Sequence, residues 1–291
     1  MSGSIPASPA ADPVWQRQLR ALRRNPAFLL GMALLVLCAG VAATAGWVFP
    51  GDPLDMVGPP ALWPGEDAAF PLGTDSLGRD VATALAHGAR VSLLVGFTAA
   101  AIGLGIGTLV GMLGGYFGGA ADAVLGRLTE LFQTVPAFLL VIVIVAIGGP
   151  QLAVIALAIG LASWPAVARL VRAQFRALRE ADFVLAARSL GYGTARIILA
   201  EILPNALPPV LVSASVMVAN AILTEAGLSF LNMGDPNHMS WGMMIGDGRQ
   251  LLRTAWFLTA LPGAAIALAV LALNLLGDAL NDAFDPRRLE R

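Results

Sequence analysis

Apolar residues run along this chain in stretches too long for a soluble core, separated by shorter polar intervals. A helix needs about 20 residues to cross a hydrocarbon layer roughly 30 Å thick. Six stretches meet that length: 27–48, 91–113, 124–147, 152–171, 208–230 and 255–276. They are too long for core strands. None shows the ten-residue alternation of a membrane β-barrel. The pattern therefore predicts an all-α, polytopic membrane protein with six transmembrane helices. Pro136 in the third stretch and Pro262 in the sixth each remove a backbone donor, which predicts kinks there.

The polar intervals organise the rest. Residues 1–26 form an N-terminal tail, 27–48 the first helix and 49–90 a loop rich in Pro, Gly and acids. Residues 91–281 form a five-helix core interrupted by a polar connection at 173–207, and 282–291 form a C-terminal tail. The first stretch also has the outline of a signal peptide, with Arg17, Arg20, Arg23 and Arg24 before it and Ala43-Thr44-Ala45 near its end. Its apolar run exceeds the usual 7–15 residues, however. Leu37 before Cys38 is also a poor fit to a lipoprotein cleavage site. The expectation is a retained helix.

Composition agrees with the pattern. Of the 291 residues, 57% are hydrophobic and 13% charged, where soluble domains carry about 25% charged residues. One anchor helix cannot account for that shortage. A net charge of −1 gives no footprint for nucleic acid. The single Cys38 excludes an internal disulfide. All 18 basic residues are Arg. Arg79, Arg90, Arg249 and Arg253 fall in segments on one side of the membrane, and the other fourteen of the 18 fall on the opposite side. The positive-inside rule then predicts cytoplasmic N- and C-termini.

Within the spans, Gly103, Gly107, Gly111, Gly115 and Gly119 recur every four residues. They predict a flat stripe for close helix packing or for sliding during transport. Asn220, Glu225, Asn274 and Asp278 are polar groups in or near spans. They are expected either to pack inside the bundle or to line a substrate pathway. His87 and His238, with Met233, Met239, Met243 and Met244, contain the soft-ligand types of a metal site. The two His are far apart in sequence, and no metal or cofactor is expected on this chain.

The connection at 173–207 is the most informative interval. Residues 181–190 read as an amphipathic helix with Phe183, Val184, Ala187 and Leu190 on one face. Gly191 stops it, and a second short helix at 194–203 leads to Pro204 and Asn205. Docking into a partner, lying on lipid and merely joining two spans are all open readings of this element from its residues.

A resemblance adds to these readings. From about Asn25 onward the chain resembles the C-type permease subunit of bacterial dipeptide, oligopeptide and nickel ABC importers. The likeness is carried first by Leu72-Gly73-Thr74-Asp75-Ser76-Leu77-Gly78-Arg79-Asp80 and by Gly114-Gly115-Tyr116-Phe117-Gly118-Gly119 with Asp122 and Arg127. Further on it is carried by Leu228-Ser229-Phe230-Leu231, Trp241-Gly242-Met243-Met244-Ile245, Asn274-Leu275-Leu276-Gly277-Asp278 and Asp285-Pro286-Arg287. Such importers have a cytoplasmic Glu-Ala-Ala motif, with Gly four residues after the second Ala, that ends in Leu-Pro-Asn. This chain has Leu185-Ala186-Ala187, Gly191 and Leu203-Pro204-Asn205. Leu185 replaces the usual Glu, and Glu201 stands where a basic or other polar residue is common.

The resemblance implies a type I ABC importer transmembrane fold in a bacterial inner membrane. It implies that Leu185, Ala186, Ala187, Gly191, Glu201, Pro204 and Asn205 belong to the region that couples to the ATPase. The implied partners are a second homologous permease, two ATPase subunits holding ATP and Mg²⁺, an extracytoplasmic solute-binding protein and membrane lipid. Asp75, Arg79 and Asp80 are candidates for contact with the binding protein or for folding their own loop back onto the bundle. The chain has no Lys, so it lacks the Lys of a P-loop. ATP occupancy of the partners would drive alternating access. A secondary transporter driven by an ion gradient and a non-transporting scaffold are the competing classes. The first calls for buried ion-coupling carboxylates or inverted repeats, and Glu225 is the notable intramembrane acid.

Overall fold

Asn25 starts the first long helix, α1 (Pro26–Val48). Its side-chain oxygen accepts the N–H groups of Ala27 and Phe28 at 2.9 and 3.4 Å, and Pro26 occupies the first turn, where a missing N–H costs nothing. This computed structural model describes residue 20 and residues 22–284. Arg17, Arg288, Arg291 and the Asp285-Pro286-Arg287 ending lie outside the described residues.

The chain continues through α2 (Val81–Phe117), α3 (Gly119–Thr134), α4 (Ala137–Gly148), α5 (Leu152–Leu178) and α6 (Asp182–Ser189). It ends through α7 (Thr194–Phe230), α8 (Trp241–Gly248) and α9 (Phe257–Phe284). Five of these helices are long and apolar enough to cross a membrane, and a bent pair makes a sixth span if counted as one. The all-α polytopic expectation therefore holds. Among the described residues β-bridges are confined to the isolated pairs Met56–Arg79 and Thr74–Asp80.

Several boundaries differ from the sequence pattern. The stretch at 124–147 does bend at Pro136, but far more sharply than a kink. α3 and α4 meet at 83° around Val135-Pro136. Pro136 cannot donate a hydrogen bond and keeps the preceding Val135 extended, so the helix ends there and restarts. α2 has 37 residues instead of the expected 91–113, because Asp80 caps it ten residues earlier with bonds from the N–H groups of Ala82 and Thr83. The segments at 194–203 and 208–230 are one helix. A π-helical stretch, Ile197–Ile202, leads into Pro204, Pro208 and Pro209 without a break. α9 likewise runs on through Pro262 to Phe284. The boundaries drawn at 90/91, 173, 207 and 281/282 therefore fall inside helices.

α2 and α5 form the centre of the bundle. Gly103, Gly107, Gly111 and Gly115 are buried on α2 against α5. A Cβ on Gly107 would lie 2.5 Å from Val167 Cβ and 2.7 Å from the Trp164 carbonyl; one on Gly111 would lie 2.5 Å from the Ala168 carbonyl. Gly119 does not extend the stripe. It begins α3 with φ +52° and faces open space. α1 is the most peripheral span, and Gly31 sets it against Ala272 and Leu276 of α9. Asp122, at the start of α3, accepts hydrogen bonds from Arg172 and Arg176 of α5, so α3 is bound to the end of the bundle that carries α6.

The opposite end is closed by the 49–80 loop and α8. Gly73 and Gly78 have φ of +78° and +81°, and a Cβ on either would lie 2.2 Å from a carbonyl oxygen, of Leu62 and Gly58 respectively. Only glycine satisfies both the backbone angle and the close approach, which gives the Leu72–Asp80 word its structural meaning.

Candidate functional site

At one end of the bundle, α6 stands between α5 and α7. Val184 and Ala187 are buried with Phe175, Ile197 and Ile202, and so anchor the helix to its own chain. Phe183 and Leu190 do not share that buried face as expected; both are exposed, Leu190 at 72%. Eight residues of helix give too short a packed stripe to bury all four. Leu185 and Ala186 also face outward. The helix ends in a two-bond motif. The N–H of Gly191 bonds to the Arg188 carbonyl at 2.9 Å and that of Tyr192 to the Ala187 carbonyl at 3.1 Å, with Gly191 at φ +78°. The resulting outward surface carries Phe183, Leu185, Ala186 and Leu190 beside Asp182 and Arg188.

The other residues of that candidate set lie close by in sequence, on α7. Pro204 and Asn205 are exposed, and Glu201 is half-buried. The Asn205 amide donates to the Glu201 carbonyl at 2.7 Å. Two residues missed from the sequence tie this end to α2. The Arg179 guanidinium donates to the Tyr116 carbonyl at 3.2 Å, and Arg188 lies 5.9 Å from the Tyr116 ring centroid. Arg172 and Arg176, one turn apart and both paired with the acid Asp122, were the available signal for the neighbouring cluster.

Near mid-bundle, the break between α3 and α4 opens a cavity of about 510 Å³. Gln133, Pro136 and Phe138 line one side, Ser163 and Pro165 of α5 another, and Met217, Asn220 and Thr224 of α7 the third. Asn220 is thus a wall residue, whereas Glu225, Asn274 and Asp278 are not. Asn274 and Asp278 are exposed on α9. Glu225 is 1% exposed. Its carboxyl accepts from the Ser229 hydroxyl at 2.7 Å and the Ser92 hydroxyl at 3.4 Å, and Ser92 in turn accepts the Trp241 N–H at 3.3 Å. That network joins α2, α7 and α8.

At the far end, Arg79 is 5% exposed and bonds both Asp75 and Asp247 of α8, the latter at 2.6 Å. With Asp80 capping α2, all three charged residues of the signature make contacts that fasten their own loop. Asp235 is buried between α7 and α8 and accepts the Leu152 N–H at the start of α5 at 3.1 Å. Burial alone works to raise its pKa. The N–H donors of Asn237 and Leu152, together with His238, outweigh that and hold the carboxyl below the ordinary value. His87 meets the Phe49 carbonyl at 3.1 Å, and His238 meets Asp235 at 3.1 Å. Among the described residues no group of three or more His, Cys, Asp or Glu could hold a metal ion.

Comparison with known proteins agrees with this architecture. Residues 103–290 match the family model described as binding-protein-dependent transport system inner membrane component. The di/tripeptide transport system permease protein DppC of Pseudomonas aeruginosa (strain UCBPP-PA14) is 39% identical over 96% of this chain and 96% of its own length. The dipeptide transport system permease protein DppC of Escherichia coli (strain K12) is 38% identical over 99% of this chain and 96% of its own. Two inward-facing structures of the MetNI methionine ABC transporter share the fold, with TM-scores of 0.55 and 0.53 at 19% and 21% identity. They cover 69% and 68% of this chain and 96% and 95% of theirs. The chain is therefore a non-catalytic, permease-type transmembrane component of an ABC importer, and it belongs to the family of binding-protein-dependent transport system inner membrane components.

Proposed function

We propose that this permease forms, with a second permease of related fold, the passage by which di- or oligopeptides or similar small solutes cross the membrane, driven through α6 by separate ATPase subunits. Both termini are cytoplasmic in this reading, consistent with the distribution of Arg. A solute-binding protein delivers substrate at the end closed by the 49–80 loop and α8. ATP and Mg²⁺ belong to the ATPases. The peptide preference rests on the names of the relatives.

The single observation that carries the coupling role is the division of α6 into two faces. Val184 and Ala187 fix it to α5 and α7, while Leu185, Ala186 and Leu190 are presented outward. A partner that pushes the outward face moves the helices behind it, because packed interiors transmit displacement instead of absorbing it. The exposed apolar side chains of α3 and α4, including Leu131, Leu139 and Ile147, suit contact with the second permease or lipid.

The test replaces Ala186 or Leu185 with Arg in the complete complex reconstituted in liposomes. Uptake and substrate-stimulated ATP hydrolysis are expected to fall at least about tenfold, the effect of about 1.4 kcal/mol, while the chain still inserts beside the second permease. Gly40→Ala, on α1 with nothing within 4 Å of its Cβ position, is the control and leaves both unchanged. Undiminished uptake in both α6 variants overturns the coupling role.

A further inference from the structure

We infer that Gln133 and Asn220 are specificity-determining residues of the passage, forming an uncharged pair of carboxamides that holds main-chain amide groups and leaves the solute's side-chain charge unselected. This rests on the proposal that the cavity is part of the passage, and it names the chemistry of the cavity wall.

The observations are local. The cavity of about 510 Å³ lies where the α3–α4 helix is broken. Irregular backbone at membrane depth persists only where it is buried in protein or lines a water-filled space. Its volume is in the range of sites for small organic ligands, about 300–1,000 Å³. No charged side chain is among its lining residues. Of the polar groups in the wall, Ser163 donates its hydroxyl proton to the Gly160 carbonyl at 3.1 Å, and Thr224 donates to the Asn220 carbonyl at 2.7 Å. Those donors are committed to their own helices. The carboxamides of Gln133 and Asn220 have no hydrogen-bond partner among the described residues and are both exposed. They approach from different elements, the end of α3 and the middle of α7.

A carboxamide offers two N–H donors and one carbonyl acceptor, which is the complement of a peptide amide. Each such bond contributes a net of only about 0.5–1.5 kcal/mol, so the solute is oriented and then released. A fixed charge in the same place would act differently. At an effective dielectric near 20, a unit charge about 6 Å from a charged solute group changes its energy by roughly 3 kcal/mol. That would trap one sign and repel the other. A wall without charge passes both.

The experiment uses the complete complex with its binding protein in liposomes and three radiolabelled probes, alanyl-alanine, alanyl-lysine and alanyl-glutamate, each at a concentration that saturates the binding protein. The wild-type takes up all three. Asn220→Asp and Gln133→Glu are each expected to lower alanyl-glutamate uptake relative to alanyl-lysine by about tenfold or more. Asn220→Leu is expected to lower all three by about threefold to tenfold, the loss of one such hydrogen bond. Equal effects on all three probes in both acidic variants, including no effect or complete loss, overturn the inference. Should the wild-type take up none of the probes while the binding protein still stimulates ATP hydrolysis, the peptide-passage reading falls first, and this one with it.

Discussion

Glu225 is held by serine hydroxyl groups, and among the described residues no guanidinium pairs with it. Ser92, Ser229 and the neighbouring Ser240 bring α2, α7 and the start of α8 around one carboxyl group that is almost wholly removed from solvent. Truncation leaves buried hydroxyls without an acceptor, a penalty of about 1–3 kcal/mol. Glu225→Ala is therefore expected to lower the stability of the detergent-purified chain by that amount, read from the shift of its unfolding midpoint. Glu225→Gln keeps an acceptor oxygen and should recover most of that loss; equal destabilisation by both would show that the hydroxyl contacts contribute nothing. Asp235 acts through its charge. Its folded pKa lies below the ordinary carboxylate value of about 3.9, so it binds fewer protons folded than unfolded in the acid range. The stability it gives is fully present above its unfolded pKa and declines as pH falls through that value towards the lower folded one. A titration of the unfolding midpoint from neutral to acid pH should show a steeper decline in the wild-type than in Asp235→Asn.

Among the elements, the α2–α5 pair makes the sharpest demand on side-chain size. Gly103, Gly107, Gly111 and Gly115 lie on one face of α2, and each meets a backbone carbonyl of α5, of Gly160, Trp164, Ala168 and Arg172 respectively, which cannot move aside as a flexible side chain can. Gly107→Leu is expected to destabilise the bundle by about 1–3 kcal/mol or more, seen as reduced yield and a lower unfolding temperature. Gly105→Leu, with nothing within 4 Å of its Cβ position, should be close to neutral. The repeat of four was plain in the sequence because it matches the helical period. Gly119 satisfied the same spacing and failed, because the helix ended two residues before it. The α3–α4 break was underestimated for a related reason. A proline marks where a helix loses a bond, but the angle taken up afterwards is set by what the two halves pack against. Spacing puts Phe183, Val184, Ala187 and Leu190 on one face, but the helix ends at Ser189 and only Val184 and Ala187 are buried against α5 and α7.

For the molecule as a whole, the two ends carry different chemistry. One bears α6, the Asp122–Arg172–Arg176 cluster and most of the described Arg; the other bears the 49–80 loop, with Gly73 and Gly78 shaping it and Arg79 binding it to Asp247. Exposed positions at the two ends give a direct test of orientation. In a Cys38→Ala background, Leu190→Cys is expected to react with a membrane-impermeant thiol reagent only from the cytoplasmic side, and Glu66→Cys only from the opposite side. Labelling of both from one side would exclude the topology on which the coupling role depends.

The sequence determined whatever depends on local properties. Run length set the membrane class and the approximate spans, charge distribution gave an expected orientation, and helical period with a terminal glycine located α6. Tertiary structure decided which side of each apolar helix faces a neighbour. In lipid a helix is apolar on nearly every side, so the amphipathic stripe that betrays the core of a soluble helix is absent. Asn220 and Glu225 therefore looked alike along α7. Only the packing of α2, α5 and α8 around that helix turned one into an open cavity and enclosed the other among hydroxyls.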